Sequence, residues 1–205
     1  MEEPAATLAL WDYRRRVEGI YASVREALSP AEAWDRWRLG RHDLFRQHPQ
    51  SPIPAEKRSS FRGLEYFPYD PGWRHAVEVV PVLENEIDVA NSSTGTTRFR
   101  RFGKVAFDHA GATVELTLLW LESYGGGVFL SFRDQTNGTE TYGGGRYLID
   151  TCKGADLGWE EGLVVLDFNF AYHPSCVHDP MWSCPLSPPE NRLLIRVGAG
   201  ERLDL

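Results

Sequence analysis

Apolar residues near the start of the chain recur with a helical period. Between Leu10 and Leu28 they are spaced three and four residues apart, which places them on one face of a helix. A second helix is predicted to begin after Ser29, which caps it, and Glu32 completes a capping box. This helix is expected to end at His48, because three prolines follow between residues 49 and 54.

From residue 81 onward the pattern changes to alternation with a period of two. In the clearest example, 113–122, Val114, Leu116 and Leu118 fall on one face of a strand. The predicted strands are 74–83, 96–102, 104–108, 113–122, 128–133, 146–150, 163–168 and 193–197. Two leading helices and these strands predict an α+β fold, in which a mainly antiparallel β-sheet folds as a barrel or sandwich.

Length and composition predict the domain organisation. The 205 residues are 42% apolar and contain no long polar linker. We therefore expect one domain over 1–205, with a helical part at 1–48 and a β-rich body at 60–205. The sequence leaves both a monomer and a homodimer open.

Charge and hydropathy narrow the range of partners. The net charge of −7 falls entirely in residues 111–205, which hold six basic and thirteen acidic side chains. A field of this sign repels phosphate backbones, so nucleic acid is not an expected partner. No apolar run approaches the roughly 20 residues of a membrane span, so a membrane is not expected either. The first residues lack the order of an export signal, and we expect a cytoplasmic protein with reduced cysteines.

The segment 132–147 concentrates glycine and polar side chains. Consecutive glycines let a backbone approach a ligand closely, and their amides can form a nest for an anion, beside which Arg146 would add a fixed fork of donors. The predicted ligand-binding residues of this loop are Tyr142, Gly143, Gly144, Gly145 and Arg146. The alternative is a hairpin closed at Asn137-Gly138, with Arg146 paired to Asp134 or Asp150.

Two polar residues end an apolar strand near residue 167. Asp167 and Asn169 are two positions apart, so on an extended backbone they point to the same side. If that side faces a pocket, Asp167 would be a general base and Asn169 would orient the ligand. The alternative is that both side chains satisfy backbone groups of the following loop.

The same segment contains four residues of the types that bind zinc. They are His173, Cys176, His178 and Cys184. A tetrahedral zinc site uses such ligands, although this spacing is not that of common zinc fingers. The alternative is that the thiols are buried as small apolar groups while the histidines lie in a wet loop. Cys152 stands apart and is interpreted as a packing residue.

Three long motifs occur in a fixed order along the chain. They are Phe-Arg-Asp-x-Thr-x-Gly-x-Glu-Thr-Tyr-Gly-Gly-Gly-Arg-Tyr at 132–147, Leu-Asp-Phe-Asn-x-Ala-Tyr at 166–172 and Cys-Pro-Leu-x-Pro-Pro-Glu-Asn-Arg-Leu at 184–193. With these motifs the chain resembles a family of prokaryotic proteins, domain-of-unknown-function family 1684. The resemblance implies no activity or cofactor.

The resemblance does bear on individual residues. It implies a shared role, structural or functional, for the residues that match its motifs, namely Tyr142, Arg146, Asp167, Asn169 and Cys176. Cysteines are frequent in the family at the positions of Cys176 and Cys184. The family has Asn at the position of His173 and an aromatic residue at that of His178, which counts against a four-ligand metal site.

Together the two segments predict a small-molecule pocket between the glycine-rich loop 142–146 and the 167–176 segment. Its ligand would carry an anionic group held by Arg146 and the glycine amides, with Tyr142 and Asn169 orienting the rest and Asp167 as the base in any proton transfer. The sequence has no G-x-S-x-G, H-E-x-x-H or Walker A motif, so it predicts no particular enzyme class. The alternatives are a structural or protein-interaction module without catalysis, and the zinc site at 173–184.

Overall fold

The computed structural model describes residues 4–203, which begin with two helices. Helix α1 spans Pro4–Arg25 and helix α2 spans Pro30–Gln47. The Ser29 side chain accepts a hydrogen bond from the amide of Glu32 (3.2 Å), whose carboxylate accepts one from the amide of Leu28 (3.2 Å). The predicted capping box and the end of α2 at His48 are therefore confirmed, whereas α1 begins earlier than predicted.

Ten strands follow, and all of their pairings are antiparallel. The strands are β1 Glu65–Tyr66, β2 Arg74–Val77, β3 Val80–Ala90, β4 Thr96–His109, β5 Ala112–Leu121, β6 Val128–Phe132, β7 Arg146–Asp150, β8 Trp159–Glu160, β9 Leu163–Asp167 and β10 Glu201–Arg202. They form a five-stranded sheet in the order β3-β4-β5-β6-β7, a three-stranded sheet β2-β9-β8 and a pair β1-β10. The predicted α+β fold is confirmed as a sandwich-like arrangement. Within the described residues the large sheet stays open and is not a barrel.

Four of the predicted strands differ from those observed. The predicted strand 74–83 is divided between β2 and β3. The predicted strands 96–102 and 104–108 are one strand, because Gly103 continues β4 through a shift in register. A Cβ at Gly103 would lie 2.5 Å from Cγ1 of Val79, so only glycine fits there. Residues 193–197 are irregular, and the amide of Leu193 donates instead to the carbonyl of Arg133 (2.7 Å).

Apolar side chains pack on both faces of the five-stranded sheet. On one face Leu116 and Phe132 meet Phe168 from the segment after β9. On the other face Leu119 and Phe129 belong to the cluster that covers the sheet with the two helices. The alternation of β5 thus supplies both cores, and the helices are held against the sheet through the second one. Across residues 4–203, no helix is long and apolar enough to cross a membrane.

The side chain of Asn191 replaces backbone hydrogen bonds where β5 and β6 diverge. These strands pair directly only at Leu119–Phe129 and Trp120–Val128. Further along, the side-chain nitrogen Nδ2 of Asn191 donates to the carbonyls of Thr117 (2.9 Å) and Ser131 (2.9 Å). Its side-chain oxygen Oδ1 accepts from the amide of Thr117 (2.7 Å). The side chain is fully buried and takes the place of a peptide group, so backbone groups that a buried sheet must satisfy keep their partners.

Candidate functional site

Arg146 lies at the centre of the molecule with its guanidinium fully buried. It donates to the Asp134 carboxylate (3.1 Å) and to the carbonyl of Val197 (2.9 Å). It also donates to the carbonyls of Ala199 and Glu201. These contacts correspond to the pairing with Asp134 that the sequence offered as an alternative. Two nitrogens of Arg146 thus donate to acceptors within the protein, while its Nε has no partner among residues 4–203. The ligand-binding role predicted for Arg146 stays a prediction.

The glycine triplet beside Arg146 forms a turn that packs against the rest of the chain. The amide of Gly145 donates to the Tyr142 carbonyl (3.0 Å), and the carbonyl of Gly144 accepts from the Ser187 amide (3.1 Å). Gly145 has a φ of 101°, and a Cβ there would lie 2.6 Å from the carbonyl oxygen of Phe132. Close packing against the backbone therefore accounts for this glycine.

Asp167 ends strand β9 as a buried carboxylate with one oxygen unused. Its Oδ1 accepts from the amide (3.0 Å) and from the side-chain nitrogen (2.8 Å) of Asn169. Its Oδ2 has no hydrogen-bond partner among residues 4–203, although the residue is only 1% exposed. A buried charged oxygen without a partner is costly. Such a cost is typical of groups kept for chemistry.

Asn169 holds this carboxylate in place. Its side chain bridges to the loop before β2, accepting from the amide of Asp70 (2.9 Å) and donating to its carbonyl (2.8 Å). Its main-chain carbonyl accepts from the indole of Trp34 on α2 (3.1 Å). Every polar atom of the Asn169 side chain is thus engaged within the protein. Asn169 therefore positions Asp167 and does not face a ligand as predicted.

Asp167 contributes to the wall of a cleft of about 250 Å³. One side of the cleft is the turn between α1 and α2, including Leu28 and Pro30, and the other is the three-stranded sheet. Arg74 lies directly opposite Asp167 in the β2–β9 pairing and forms an ion pair with Glu160 of β8. The charged groups of Arg25, Arg74 and Glu160 therefore share the cleft with the unpartnered oxygen of Asp167, beside apolar residues such as Leu28 and Val165.

The environment of Asp167 changes its acidity. Burial raises the pKa of Asp167 to about 6, against the hydrogen bonds from Asn169 and the charge of Arg74, which lower it. A carboxyl group with a pKa near 6 exchanges its proton readily close to neutral pH, as a general acid or base must. The chemistry predicted for Asp167 is thus compatible with its surroundings.

A larger groove, about 730 Å³ in volume, runs between α1 and α2. Arg16 pairs with Asp12 along α1, and Asp12 also contacts His48 at the end of α2 (3.1 Å). Among the described residues that line it, none has a buried polar side-chain atom without a partner. We therefore place the candidate site at Asp167 and not in this groove.

The four predicted zinc ligands do not come together. Burial, reinforced by the charge of Arg146, holds the pKa of His173 well below its ordinary value, and its neutral ring accepts from the Tyr142 amide at Nε2 (3.3 Å). His178 packs edge-on against Phe45, with ring centroids 5.3 Å apart. In the part of the chain that the structure describes, no three His, Cys, Asp or Glu side chains are grouped as metal ligands. The arrangement of these side chains does not support the zinc alternative, which stays a prediction.

The structure does bring the two predicted segments together at one point. The amide of Tyr142 in the glycine-rich loop donates to Nε2 of His173 in the 167–176 segment (3.3 Å). Asp167 lines the cleft instead, together with Arg74, which sequence reasoning missed. Asn169 does not line the cleft and is hydrogen bonded to Asp167 behind it. Nothing in the sequence indicates Arg74, because its position opposite Asp167 depends on the pairing of strands more than ninety positions apart.

The sequence of this chain matches a known protein family. The family model described as "Protein of unknown function (DUF1684)" matches residues 59–202. The chain belongs to this family. The resemblance drawn from the three motifs is thereby confirmed. The cleft beside Asp167 is formed only in part by the matched residues, since its other wall comes from the end of α1, the turn after it and the start of α2.

A solved structure has a similar fold. It is the solution NMR structure of an uncharacterized protein of Haloarcula marismortui, with 35% sequence identity and a TM-score of 0.59. The alignment covers 85% of the present chain and 97% of that protein. No curated protein gave a significant match. Membership of the family and this likeness establish the relationship without supplying an activity.

Proposed function

We propose that this protein binds a small anion-bearing molecule in the cleft beside Asp167, and that Asp167 exchanges a proton with it. The observation that carries the proposal is the unpartnered Oδ2 of a buried carboxylate in the wall of a cleft. A ligand donor or a proton placed at this oxygen would satisfy it. Small-molecule sites bring a few polar groups together beside apolar side chains, and here Arg74, Glu160 and Asp167 meet at a wall that also includes Val165.

Arg74 supplies the preference for an anion. Its partner Glu160 is 55% exposed, so the Arg74–Glu160 pair is held weakly. A carboxylate or phosphate group that entered the cleft would replace Glu160 on the guanidinium with two parallel hydrogen bonds. The anion-binding role that the sequence suggested for Arg146 is thus proposed for Arg74. A volume of about 250 Å³ restricts the ligand to a small molecule.

Binding can be tested with acetate, malonate and inorganic phosphate as probes, titrated by NMR at pH 7. We expect chemical-shift changes centred on β2 and β9 for at least one probe. Arg74→Gln should remove them, because the guanidinium is the anion's partner. Glu160→Gln should strengthen binding several-fold, because it removes the competing carboxylate. Shifts that are absent, or that persist unchanged in Arg74→Gln, would overturn the proposal.

The stability of the protein should depend on the ionisation of Asp167. Because its pKa is about 6 in the folded state and about 3.9 when unfolded, the folded protein binds the proton more tightly. The resulting stability is complete below about pH 4 and is lost as the pH rises through 6. We expect Asp167→Asn to remove this dependence and to be more stable than wild type by about 2 to 3 kcal/mol at pH 8.

Urea unfolding between pH 4 and 8 measures this difference. Glu160→Gln is the matched control, since it neutralises an exposed carboxylate of the same cleft and should change stability by about 1 kcal/mol or less. A wild-type protein whose stability does not fall between pH 4 and 7 relative to Asp167→Asn would show that Asp167 is an ordinary surface-like carboxylate.

A further inference from the structure

A small cavity lies between the two helices and the sheet that they cover. Its volume is about 100 Å³, and it shares no lining residue with the cleft beside Asp167. Both helices, strand β7 and the segments 153–155, 172–175 and 183–185 contribute to its wall. Pockets for drug-sized ligands have volumes of about 300 Å³ or more, so this cavity admits only a molecule or ion of a few atoms.

Two tyrosine hydroxyls at this cavity lack hydrogen-bond partners. Tyr21 on α1 and Tyr172 after β9 line the cavity and are only 1% and 7% exposed. Neither hydroxyl oxygen has a partner among residues 4–203. Burial raises the pKa of both tyrosines well above the ordinary value, so each hydroxyl keeps its proton at neutral pH. A buried donor without an acceptor is costly, and an acceptor that entered the cavity would remove this cost.

Two cations also line the cavity. Among the described residues of its wall are Arg41 and Lys153, and there is no Asp or Glu. Arg41 pairs with Glu201, which lies outside the wall. Nζ of Lys153 donates to Asp150 (2.6 Å), which also lies outside it. Against the effect of burial, the charge of Asp150 raises the pKa of Lys153, so the ammonium is charged at neutral pH. One of its three donors is used by Asp150, which leaves two for other acceptors.

Each cation lies beside one of a pair of tyrosine rings. The guanidinium carbon of Arg41 is 4.9 Å from the ring centre of Tyr172, and Nζ of Lys153 is 5.9 Å from that of Tyr147. The two ring centres are 5.7 Å apart. Main-chain hydrogen bonds run in both directions between Tyr147 and Tyr172 (2.8 and 3.0 Å). The fold therefore fixes both cations relative to the same pair of rings before any ligand arrives, which lowers the entropy cost of binding.

We infer that this cavity binds a small oxyanion, an ion whose negative charge lies on oxygens as in a carboxylate or inorganic phosphate. The inference is independent of the function proposed for Asp167. The oxyanion would accept hydrogen bonds from the hydroxyls of Tyr21 and Tyr172 and from the ammonium of Lys153. Arg41 would add its positive charge. A metal cation, in contrast, would meet two like charges and no carboxylate in the wall of the cavity.

The melting temperature in the presence of small anions tests this inference. Formate, acetate and inorganic phosphate are each titrated at pH 7 and matched ionic strength. We expect at least one of them to raise the Tm, because a ligand that binds only the folded chain stabilises it. The rise should persist in Arg74→Gln, which lacks the anion partner proposed for the cleft beside Asp167. The two sites are thereby tested separately.

Two substitutions of the same kind distinguish the cavity from general effects on stability. Tyr172→Phe removes an unpartnered hydroxyl, so without added anion it should be at least as stable as wild type, while its Kd for the anion should rise about tenfold or more. Tyr147→Phe is the matched control, because the Tyr147 hydroxyl already donates to the carbonyl of Pro185. It should lower the Tm and change the Kd by less than about threefold. The Kd values come from the dependence of the Tm on anion concentration.

Three results would contradict the inference. The first is a Tm that none of the three anions raises, since the cavity would then hold water alone. The second is an equal Kd for wild type and Tyr172→Phe. The third is a rise in Tm that disappears in Arg74→Gln, which would assign the anion to the cleft beside Asp167.

Discussion

Replacing Arg146 by methionine should lower the free energy of unfolding by about 3 to 5 kcal/mol. Burial lowers the pKa of Arg146 to about 10, against the opposing charge of Asp134, so the side chain is still charged at pH 7. Without it, the Asp134 carboxylate keeps the amide of Val197 (2.7 Å) but loses the buried cation with which it pairs. Carbonyls at 197, 199 and 201 lose their donor as well. Buried acceptors without a hydrogen-bond donor are costly, which accounts for the size of the expected loss in stability.

Urea unfolding at pH 7 measures the loss, with Arg196→Met as the control. Arg196 directly precedes the segment 197–201 that supplies these carbonyl acceptors. Its ion pair with Glu140 is about half exposed and should contribute at most about 1 kcal/mol to the free energy of unfolding. Arg146→Lys should recover little, because a single ammonium cannot reach all of these acceptors. A loss below about 1 kcal/mol in Arg146→Met would show that Arg146 is not a structural lock.

The ion pair between Arg41 and Glu201 should have an effect of similar size. Both side chains are buried, and Arg41 Nε donates to Glu201 Oε1 at 2.8 Å. The other carboxylate oxygen accepts from the amide of His173 (2.7 Å). Each of Arg41→Met and Glu201→Gln leaves the remaining partner buried without its counter-ion, and each should cost about 3 to 5 kcal/mol.

A double-mutant cycle separates this pairing from loss of packing. The Arg41 guanidinium also lies about 5.0 Å from the ring centres of Trp37 and Phe45, so part of the cost is independent of Glu201. We expect the double variant to cost less than the sum of the single variants by roughly 1 to 3 kcal/mol. The exposed pair Arg36–Glu32 on α2 serves as control, with a coupling of about 0.5 kcal/mol or less. Additive single effects would rule out the coupling.

The elements that the sequence predicted well are those specified by local chemistry. Helix α2 follows from a cap and a run of prolines, and β7 lies at the predicted residues because its glycine turn ends directly before it. Residues 193–197 were mistaken for a strand, because their apolar pattern reflects packing in the core and their amides bond to the 133–135 loop. The apolar pattern of residues 193–197 indicates that they are buried. Their hydrogen-bond partners are set by the tertiary structure and cannot be inferred from that pattern.

The candidate site was predictable only in part, for a related reason. Asp167 and Asn169 stand out in the sequence as polar residues at the end of an apolar strand. The cleft they serve is completed by Arg74 and by the turn between the helices, which are distant in sequence. Cys176 and Cys184 were considered with His173 and His178 as zinc ligands, and burial as small apolar groups was the alternative. The two histidines contact the Tyr142 amide and Phe45 respectively, and such tertiary contacts are absent from the sequence pattern.

The contacts of residues 197–203 bear on the order in which the protein folds. The five-stranded sheet joins strands that follow one another along the chain, so each hairpin closes a short loop. Residues 197–203, in contrast, bind Arg146 and Arg41, the latter 160 positions away from Glu201. Closing so long a loop costs entropy before any contact is gained, and nonlocal contacts of this kind tend to form late. Loss of the Arg41–Glu201 pair should therefore accelerate unfolding in stopped-flow experiments and leave the folding rate nearly unchanged, which makes this segment a determinant of the lifetime of the native state.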